Sequence, residues 1–127
     1  MPENRKMVLV VDDEPAMCHI LERLLKAEGY GVLTARNGEK ALELFEKHRP
    51  DLVLLDLMMP GMNGREVCRH IKSAVPETSV VYVSAKALPT DPEDLKEFKG
   101  EADAFITKPA TSKQILSKVS SVLATRK

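Results

Sequence analysis

Apolar side chains along the chain follow two patterns that alternate five times. Short runs rich in Val, Leu and Ile predict strands at residues 6–11, 31–35, 52–56, 79–84 and 103–107. Between them, apolar residues recur every three or four positions, which predicts helices that begin near residues 15, 37, 63, 91 and 112 and end near residues 29, 50, 74, 100 and 124. The fourth helix is the weakest, since Leu95 and Phe98 are its only strong apolar anchors.

The alternation of strands with helices predicts an α/β fold, a doubly wound five-stranded parallel sheet with five flanking helices. Residues 8–11 and 52–55 are apolar throughout, so helices should cover both of their faces and both strands should be central. The more polar second strand should lie at an edge. This arrangement fits the strand order 2-1-3-4-5, and we expect residues 1–127 to form one domain.

Composition narrows the possible partners. The 127 residues include 19 basic and 19 acidic side chains, and this balance does not predict a surface that binds nucleic acid directly. The apolar run at 7–11 is too short for a signal peptide or a membrane span, so we expect a cytoplasmic protein with no membrane partner. Cysteines and histidines fall within or at the ends of predicted helices, and we interpret them as ordinary core or surface residues: Cys18, Cys68, His19, His48 and His70.

Polar residues stand where four of the five predicted strands end. Asp12 and Asp13 follow the first strand, Asp56 ends the third, Ser84 ends the fourth and Lys108 follows the fifth. The carboxyl ends of parallel strands meet at one edge of the sheet, which is where ligand sites form in open α/β folds. The sequence therefore predicts one shared site at this edge.

Each of these residues also has a local explanation. Asp13 would suit the N-cap of a helix that begins at Glu14-Pro15, and Asp56 would suit a turn. Ser84 would cap a local turn, and Lys108 would lead into the last helix. Because this interpretation needs four coincidences at one edge of the sheet, we favour the common site.

The chemistry of the predicted site points to phosphoryl transfer. Three carboxylates repel one another and need a cation, and oxygen ligands without His or Cys favour Mg²⁺. Lys108 supplies a fixed positive charge and Ser84 a hydrogen-bond donor, both of which suit the oxygens of a phosphoryl group. Asp56 is then a candidate nucleophile that would form an aspartyl phosphate.

Four motifs resemble those of a known family. They are Val-Asp-Asp-Glu-Pro at 11–15, Asp-Leu-Met-Met-Pro-Gly-Met-Asn-Gly at 56–64, Val-Ser-Ala at 83–85 and Ala-Asp-Ala-Phe-Ile-Thr-Lys-Pro at 102–109. In order and spacing they resemble the receiver domain of two-component response regulators, over essentially the whole chain. The resemblance implies a flavodoxin-like (CheY-like) form of the predicted fold.

The resemblance also implies roles for the acidic residues. Asp56 would be the phosphoacceptor, and Asp12 and Asp13 would form the family's acidic pair. Mg²⁺ would be held by Asp13, Asp56 and the main-chain carbonyl of Met58, with Asp12 acting through water. Met58 and Lys86, each two residues past a site residue, would influence the lifetime of the phosphate.

The same resemblance describes a switch. Ser84 would turn its hydroxyl toward the phosphoryl oxygens, and Lys108 would pair with them, with a cis peptide bond to Pro109. Phe105 occupies the position of the switch aromatic. Many members have Tyr there, and Phe retains only the packing part of that switch. An ordinary core aromatic is the alternative interpretation of Phe105.

The predicted function is a phosphorylation-controlled signalling switch rather than an enzyme with turnover. A sensor histidine kinase or phosphotransfer protein would donate the phosphoryl group, and a downstream effector protein or domain would respond to the surface of the fourth helix, fifth strand and fifth helix. Residues 110–116 lack the Arg-rich pattern associated with receivers that dimerise ahead of a winged-helix DNA-binding domain. This weakly disfavours such an output.

Three other functions remain alternatives. An aspartyl-phosphate phosphatase would carry a second Asp two residues after the nucleophile, where this chain has Met58. A flavodoxin-like cofactor carrier would have a phosphate loop rich in Ser, Thr and Gly after the first strand, and the sequence has none there. A pseudo-receiver that only binds other proteins would not need the intact set of Asp13, Asp56, Ser84 and Lys108.

Overall fold

The computed structural model describes residues 5–57, 59, 63–84 and 102–125. Its strands are β1 (Met7–Val11), β2 (Gly31–Ala35), β3 (Leu52–Asp56), β4 (Ser79–Ser84) and β5 (Ala104–Thr107). Its helices are α1 (Pro15–Ala27), α2 (Gly38–His48), α3 (Gly64–Ala74) and the C-terminal helix (Ser112–Thr125). The fourth predicted helix, residues 91–100, lies outside the described residues.

The five strands form one parallel sheet in the order β2-β1-β3-β4-β5, which confirms the predicted α/β fold. The apolar strands β1 and β3 are central and β2 lies at an edge, as their composition predicted. The register pairs Val11 with Leu55, Asp56 with Val83 and Ser84 with Thr107. The carboxyl ends of β1, β3, β4 and β5 are therefore level, and the residues that end these strands share one edge.

Each face of the sheet has its own core, because alternate residues of a strand point to opposite faces. The first face packs against α2 and α3, and its buried residues include Leu9, Val53, Tyr82, Phe45 and Ile71. The second face packs against α1 and the C-terminal helix, and its buried residues include Val10, Leu54, Val81, Leu25 and Val119. Covering both faces explains why residues 8–11 and 52–55 of the central strands are apolar throughout.

Three helices begin with side chains that satisfy the free backbone N–H groups of a first turn. Asn37 accepts such a hydrogen bond at α2. Asn63 and Glu66 form a reciprocal capping box at α3, and Thr111 and Gln114 exchange the same pair of bonds at the C-terminal helix. These caps fix where each helix starts and thus how the chain leaves the strand before it.

Helix α1 starts differently. Its N-cap residue, Glu14, makes no side-chain cap hydrogen bond. Instead, Asp12 Oδ1 accepts a hydrogen bond from the Glu14 N–H at 3.0 Å. The local explanation of Asp13 as the N-cap is therefore wrong, since the N-cap is Glu14 and its N–H is satisfied by Asp12. At the other end, Gly29 has a φ of 95°, a conformation that suits glycine, and it ends the helix as predicted.

The opposite edge, where the strands begin, is held by structural polar contacts. Lys72 Nζ donates to Asp103 Oδ2 at 2.8 Å and to the Thr78 carbonyl at 2.7 Å, which ties the end of α3 to the start of β5. The Met7 N–H donates to Asp51 Oδ2 at 2.8 Å. The predicted site residues that the structure describes lie at the other edge. Within the described ranges, the helices lack the combination of length and apolar character that a bilayer crossing requires.

Gly64, the first residue of α3, packs directly on the chain that follows β3. A Cβ atom at this position would lie 2.9 Å from the Asp56 carbonyl oxygen and 3.2 Å from Leu57 Cα. Both neighbours are backbone atoms, so they cannot move aside without displacing the end of β3. The missing side chain therefore allows α3 to approach the strand end that bears Asp56.

We expect Gly64→Ala to lower the free energy of unfolding by about 1–3 kcal/mol, because the added methyl group displaces backbone next to Asp56. Urea denaturation followed by circular dichroism measures this change. Ser73→Ala, at an exposed position of the same helix, is the control and should stay within about 0.5 kcal/mol of the wild type. A Gly64→Ala protein as stable as the control would contradict the close approach.

Candidate functional site

Asp12 lies at the end of β1 and is only 2% exposed. Its N–H donates to the Ala35 carbonyl at 3.0 Å, which extends the pairing of β1 with β2. Its two carboxylate oxygens are both paired, Oδ1 with the Glu14 N–H at 3.0 Å and Oδ2 with Lys108 Nζ at 2.9 Å. A buried carboxylate is costly unless its oxygens are satisfied, so these two bonds hold Asp12 in place.

Asp56 is the last residue of β3 and is 5% exposed. Its Oδ2 lies 3.5 Å from Lys108 Nζ, so one ammonium group contacts carboxylates from both central strands. The backbone beyond it is also fixed, because the Leu57 N–H donates to the Val83 carbonyl at 3.1 Å. The carboxylate is thus held at the junction of β1, β3 and β4.

Asp12, Asp13 and Asp56 form a compact acidic cluster. One carboxylate oxygen from each lies within 4.8 Å of the others, and Asp13 is the most exposed of the three. Lys108 offsets one of three formal negative charges, so the remaining repulsion favours a bound cation. The donors are all carboxylate oxygens, which fits a hard divalent cation such as Mg²⁺. Met58 and Lys86, which the resemblance also assigns to the site, lie outside the described residues.

Lys108 follows β5 and reaches across the sheet edge. Burial disfavours the charged ammonium, but the hydrogen bond and charge of Asp12 and the charge of Asp56 outweigh it, and the pKa of Lys108 is raised above its ordinary value. Lys108 is therefore a fixed positive charge at neutral pH. Its backbone N–H donates to the Ser84 carbonyl at 2.7 Å. Its peptide bond to Pro109 is cis, as the resemblance implied.

Ser84 ends β4 at the same edge and is 2% exposed. Phe105 lies farther back on the neighbouring strand, opposite Tyr82 in the register and partly buried against the first face. The Tyr82 and Phe105 ring centroids are 5.9 Å apart, with the ring planes tilted by 58°. Within the described ranges, the predicted residues of the strand ends thus meet at one edge, with Phe105 behind them.

Cys18 makes a contact that sequence reasoning missed. Its thiol donates to the Asp12 carbonyl at 3.2 Å, and burial, followed by the charge of Asp12, raises the pKa of the thiol. The only signal in the sequence is that Cys18 lies one helical turn after Glu14, to whose carbonyl its N–H donates at 3.1 Å. Both cysteines are buried thiols, and the three histidines are exposed on their helices, as predicted.

Comparison with known proteins finds relatives that align with nearly the whole of this chain. The chain is 39% identical over 122 residues to the DNA-binding response regulator MtrA of Mycolicibacterium smegmatis, an alignment that covers 94% of this chain and 51% of that protein. The chain spans about half the length of the curated relatives it matches. Similarity to these relatives is therefore confined to one part of each.

Solved structures with the same fold cover nearly the whole chain. A CheY-like response regulator receiver domain protein from Methanospirillum hungatei JF-1 has a TM-score of 0.86 at 28% identity and covers 95% of both chains. The response regulator TrrA from Thermotoga maritima, solved in complex with Mg²⁺-BeF, has a TM-score of 0.80 at 33% identity and covers 92% of this chain and 98% of its own. Residues 8–120 match the family described as the response regulator receiver domain, and the chain therefore belongs to this family of two-component signalling domains.

Proposed function

We propose that Asp56 accepts a phosphoryl group from a phosphohistidine on a partner protein and that the modification switches the surface this domain offers to an effector. The observation that supports this most strongly is the convergence of three carboxylates within 4.8 Å under a lysine that contacts two of them. The donor would be a sensor histidine kinase or a phosphotransfer protein. The domain would act in the cytoplasm.

The proposed metal ligands are Asp13, Asp56 and the main-chain carbonyl of Met58, with Asp12 contributing through a water molecule. Mg²⁺ bound there would neutralise the acidic cluster and the oxygens of the incoming phosphoryl group. The all-oxygen donor set supports this assignment. TrrA, the relative solved in complex with Mg²⁺-BeF, supports it by analogy.

In the transfer step, a carboxylate oxygen of Asp56 attacks phosphorus and forms the new P–O bond. The P–N bond to the donor imidazole breaks, and its electron pair remains on the imidazole nitrogen, which then takes a proton from solvent. Lys108 Nζ, already 3.5 Å from Asp56 Oδ2, would pair with the phosphoryl oxygens and stabilise their charge. Asp12 keeps that ammonium aligned through its bond at 2.9 Å.

The switch step would follow from the new charge. Ser84 would donate its hydroxyl to a phosphoryl oxygen, and Phe105 would repack on the first face of the sheet. The proposed output surface consists of the fourth predicted helix, β5 and the C-terminal helix. Of these, the fourth helix lies outside the described residues.

The alternatives are less well supported. A phosphatase of the aspartyl-phosphate class would need an acid where the chain has Met58. A binding-only pseudo-receiver would not require the paired and buried carboxylates of Asp12 and Asp56.

The effector is either a separate protein or a further domain. Relatives that include a DNA-binding response regulator favour a DNA-binding effector for some receivers, although the balanced charge of this chain does not suit direct contact with DNA.

We expect wild-type protein incubated with acetyl phosphate and Mg²⁺ to gain one phosphoryl group by intact mass, and Asp56→Ala to gain none. Leaving out Mg²⁺ should reduce the modified fraction at least tenfold, because the acidic cluster repels the anionic donor. Glu77→Gln, which removes one exposed carboxylate elsewhere, is the control and should behave as the wild type. A phosphoryl group gained equally by Asp56→Ala would place the acceptor elsewhere.

Asp13→Asn tests whether Asp13 is a metal ligand. Without Mg²⁺, we expect the free energy of unfolding of this variant to be about 1 kcal/mol higher than that of the wild type, because one of three clustered charges is removed. Saturating Mg²⁺ should stabilise the wild type, by about 2.7 kcal/mol at 100 times the dissociation constant, and should stabilise Asp13→Asn much less. Urea denaturation in EDTA and in MgCl2 tests both parts. Equal stabilisation of the two proteins by Mg²⁺ would exclude Asp13 as a ligand.

Ser84→Ala should still bind the phosphoryl mimic, but the conformational change in β5 and the C-terminal helix should be reduced. We expect amide NMR signals of β5 and the C-terminal helix to shift in the wild type when Mg²⁺ and beryllium fluoride are added, and to shift less than half as far in Ser84→Ala, because the hydroxyl that reaches the anion is gone. Ser73→Ala, an exposed serine of α3, is the matched control. Full shifts in Ser84→Ala would show that another group couples the site to β5.

A further inference from the structure

Tyr82 has no role in the proposed transfer, yet it contacts the aromatic residue that the switch would move. It is fully buried and is among the largest such side chains in the described part of the chain. It lies two residues before Ser84 on β4, and the register places it directly opposite Phe105 on β5. The ring centroids are 5.9 Å apart with a tilt of 58°, an arrangement favoured by aromatic pairs.

The strand geometry gives Tyr82 a place between Ser84 and Phe105. Residues two apart on a strand point to the same face, so Tyr82 and Ser84 both point to the first face. Phe105 is the direct cross-strand neighbour of Tyr82 and only a diagonal neighbour of Ser84, and direct neighbours are closer than diagonal ones. Tyr82 is therefore the residue of β4 nearest to Phe105 on this face, and it lies next to Ser84 on the same side of the strand.

The two rings differ in how firmly they are held. Tyr82 is 0% exposed and belongs to the core that also contains Val67, Cys68 and Ile71 of α3. Phe105 is only partly buried at the border of that core. In a close-packed interior a partly exposed ring has more freedom to reorient than a ring that is enclosed on all sides. Tyr82 is thus the fixed partner and Phe105 the movable one.

The ring contact coexists with the charge pairing of the unmodified site. Lys108 Nζ is shared between Asp12 Oδ2 at 2.9 Å and Asp56 Oδ2 at 3.5 Å, which is the pairing that a phosphoryl group on Asp56 would compete with. The orientation of Phe105 against Tyr82 is therefore the one that accompanies this pairing of Lys108 with both carboxylates.

We propose that Tyr82 is a positioning residue that holds Phe105 in its orientation before phosphorylation, so that the ring contact between them sets how far phosphorylation of Asp56 shifts the switch. This inference rests on the proposed function and adds to it the residue that opposes activation. Loss of the Tyr82 ring shifts the Phe105 equilibrium toward its activated orientation without any change at the carboxylates.

The test is fluorine NMR on protein labelled with 4-fluorophenylalanine, which gives one signal for each of the three phenylalanines. Phe45→Leu and Phe98→Leu identify the Phe105 signal by elimination. Mg²⁺ with beryllium fluoride, the phosphoryl mimic, defines its activated position in the wild type. In Tyr82→Leu without the mimic, we expect the activated population to rise about 2- to 10-fold, the range that corresponds to one aromatic pair.

Two further variants separate the ring from other effects. Tyr82→Phe keeps the ring and loses the hydroxyl, so it should leave the Phe105 signal at its wild-type position. Val80→Ala truncates a buried side chain of the same strand and face while leaving the ring pair intact, so it should also leave the signal in place. If Tyr82→Leu does not fold, Tyr82→Met replaces the ring with a flexible apolar side chain of adaptable shape.

The outcomes distinguish this inference from the proposed function. An unchanged Phe105 population in Tyr82→Leu or Tyr82→Met, with a normal response of the wild type to the mimic, would overturn the role of Tyr82 and leave the switch itself intact. An equal shift in Val80→Ala would also overturn it, since general loosening would then explain the effect. A wild-type Phe105 signal that ignores the mimic would refute the proposed aromatic switch and, with it, this inference.

Discussion

The carboxyl edge of the sheet depends on one lysine that lies between carboxylates from two strands. Lys108 follows β5, yet its ammonium contacts Asp12 after β1 and Asp56 at the end of β3. These carboxylates are 2% and 5% exposed, so each would be costly to bury without that partner. Within the part of the chain that the structure describes, three clustered carboxylates face this one lysine. The site therefore retains negative charge that a cation can neutralise, and a lysine that a competing anion can engage.

The sheet brings these groups together because its strands are parallel and in register. Each of four strands supplies one part of the site at its carboxyl end, and the backbone bonds from Leu57 to Val83 and from Lys108 to Ser84 lock neighbouring ends together. Gly64 lets α3 begin directly against the Asp56 carbonyl. At the opposite edge, the Lys72 contacts with Asp103 and Thr78 fix where the strands start. The contacts that fix the strand starts and the residues of the candidate site thus lie at opposite edges of the same sheet.

Hydrophobic pattern predicted most of this fold, and the exceptions have physical causes. The bounds of β3 and β4 are those predicted, since each strand is buried along its whole length and ends in a polar residue. Asp103 falls outside β5, because its side chain accepts hydrogen bonds from Lys72 and from the Val80 N–H.

At the site, residue types at strand ends predicted which groups meet. They could not predict that Asp12 rather than Asp13 satisfies the Glu14 N–H, or that the Cys18 thiol contacts the Asp12 carbonyl, because such pairings depend on side-chain direction. Residue chemistry alone made Asp56 a candidate nucleophile, whereas the family resemblance supplied the predicted acidic pair, metal ligands and switch residues.

Strand alternation also divides the site between the two faces of the sheet. Asp56 continues the side of β3 that holds Leu52 and Leu54 on the second face, whereas Ser84 continues the side of β4 that holds Val80 and Tyr82 on the first. A group attached to Asp56 would therefore arrive from one face, and a serine hydroxyl from the other would meet it at the edge. Strands β1 and β3 are buried almost throughout, so their residues have little room to move when the charge at the carboxyl edge changes. Strand β5, in contrast, is buried at only one of its four positions. A change of charge at the edge would thus be accommodated at β5, where packing is least complete and where Phe105 lies.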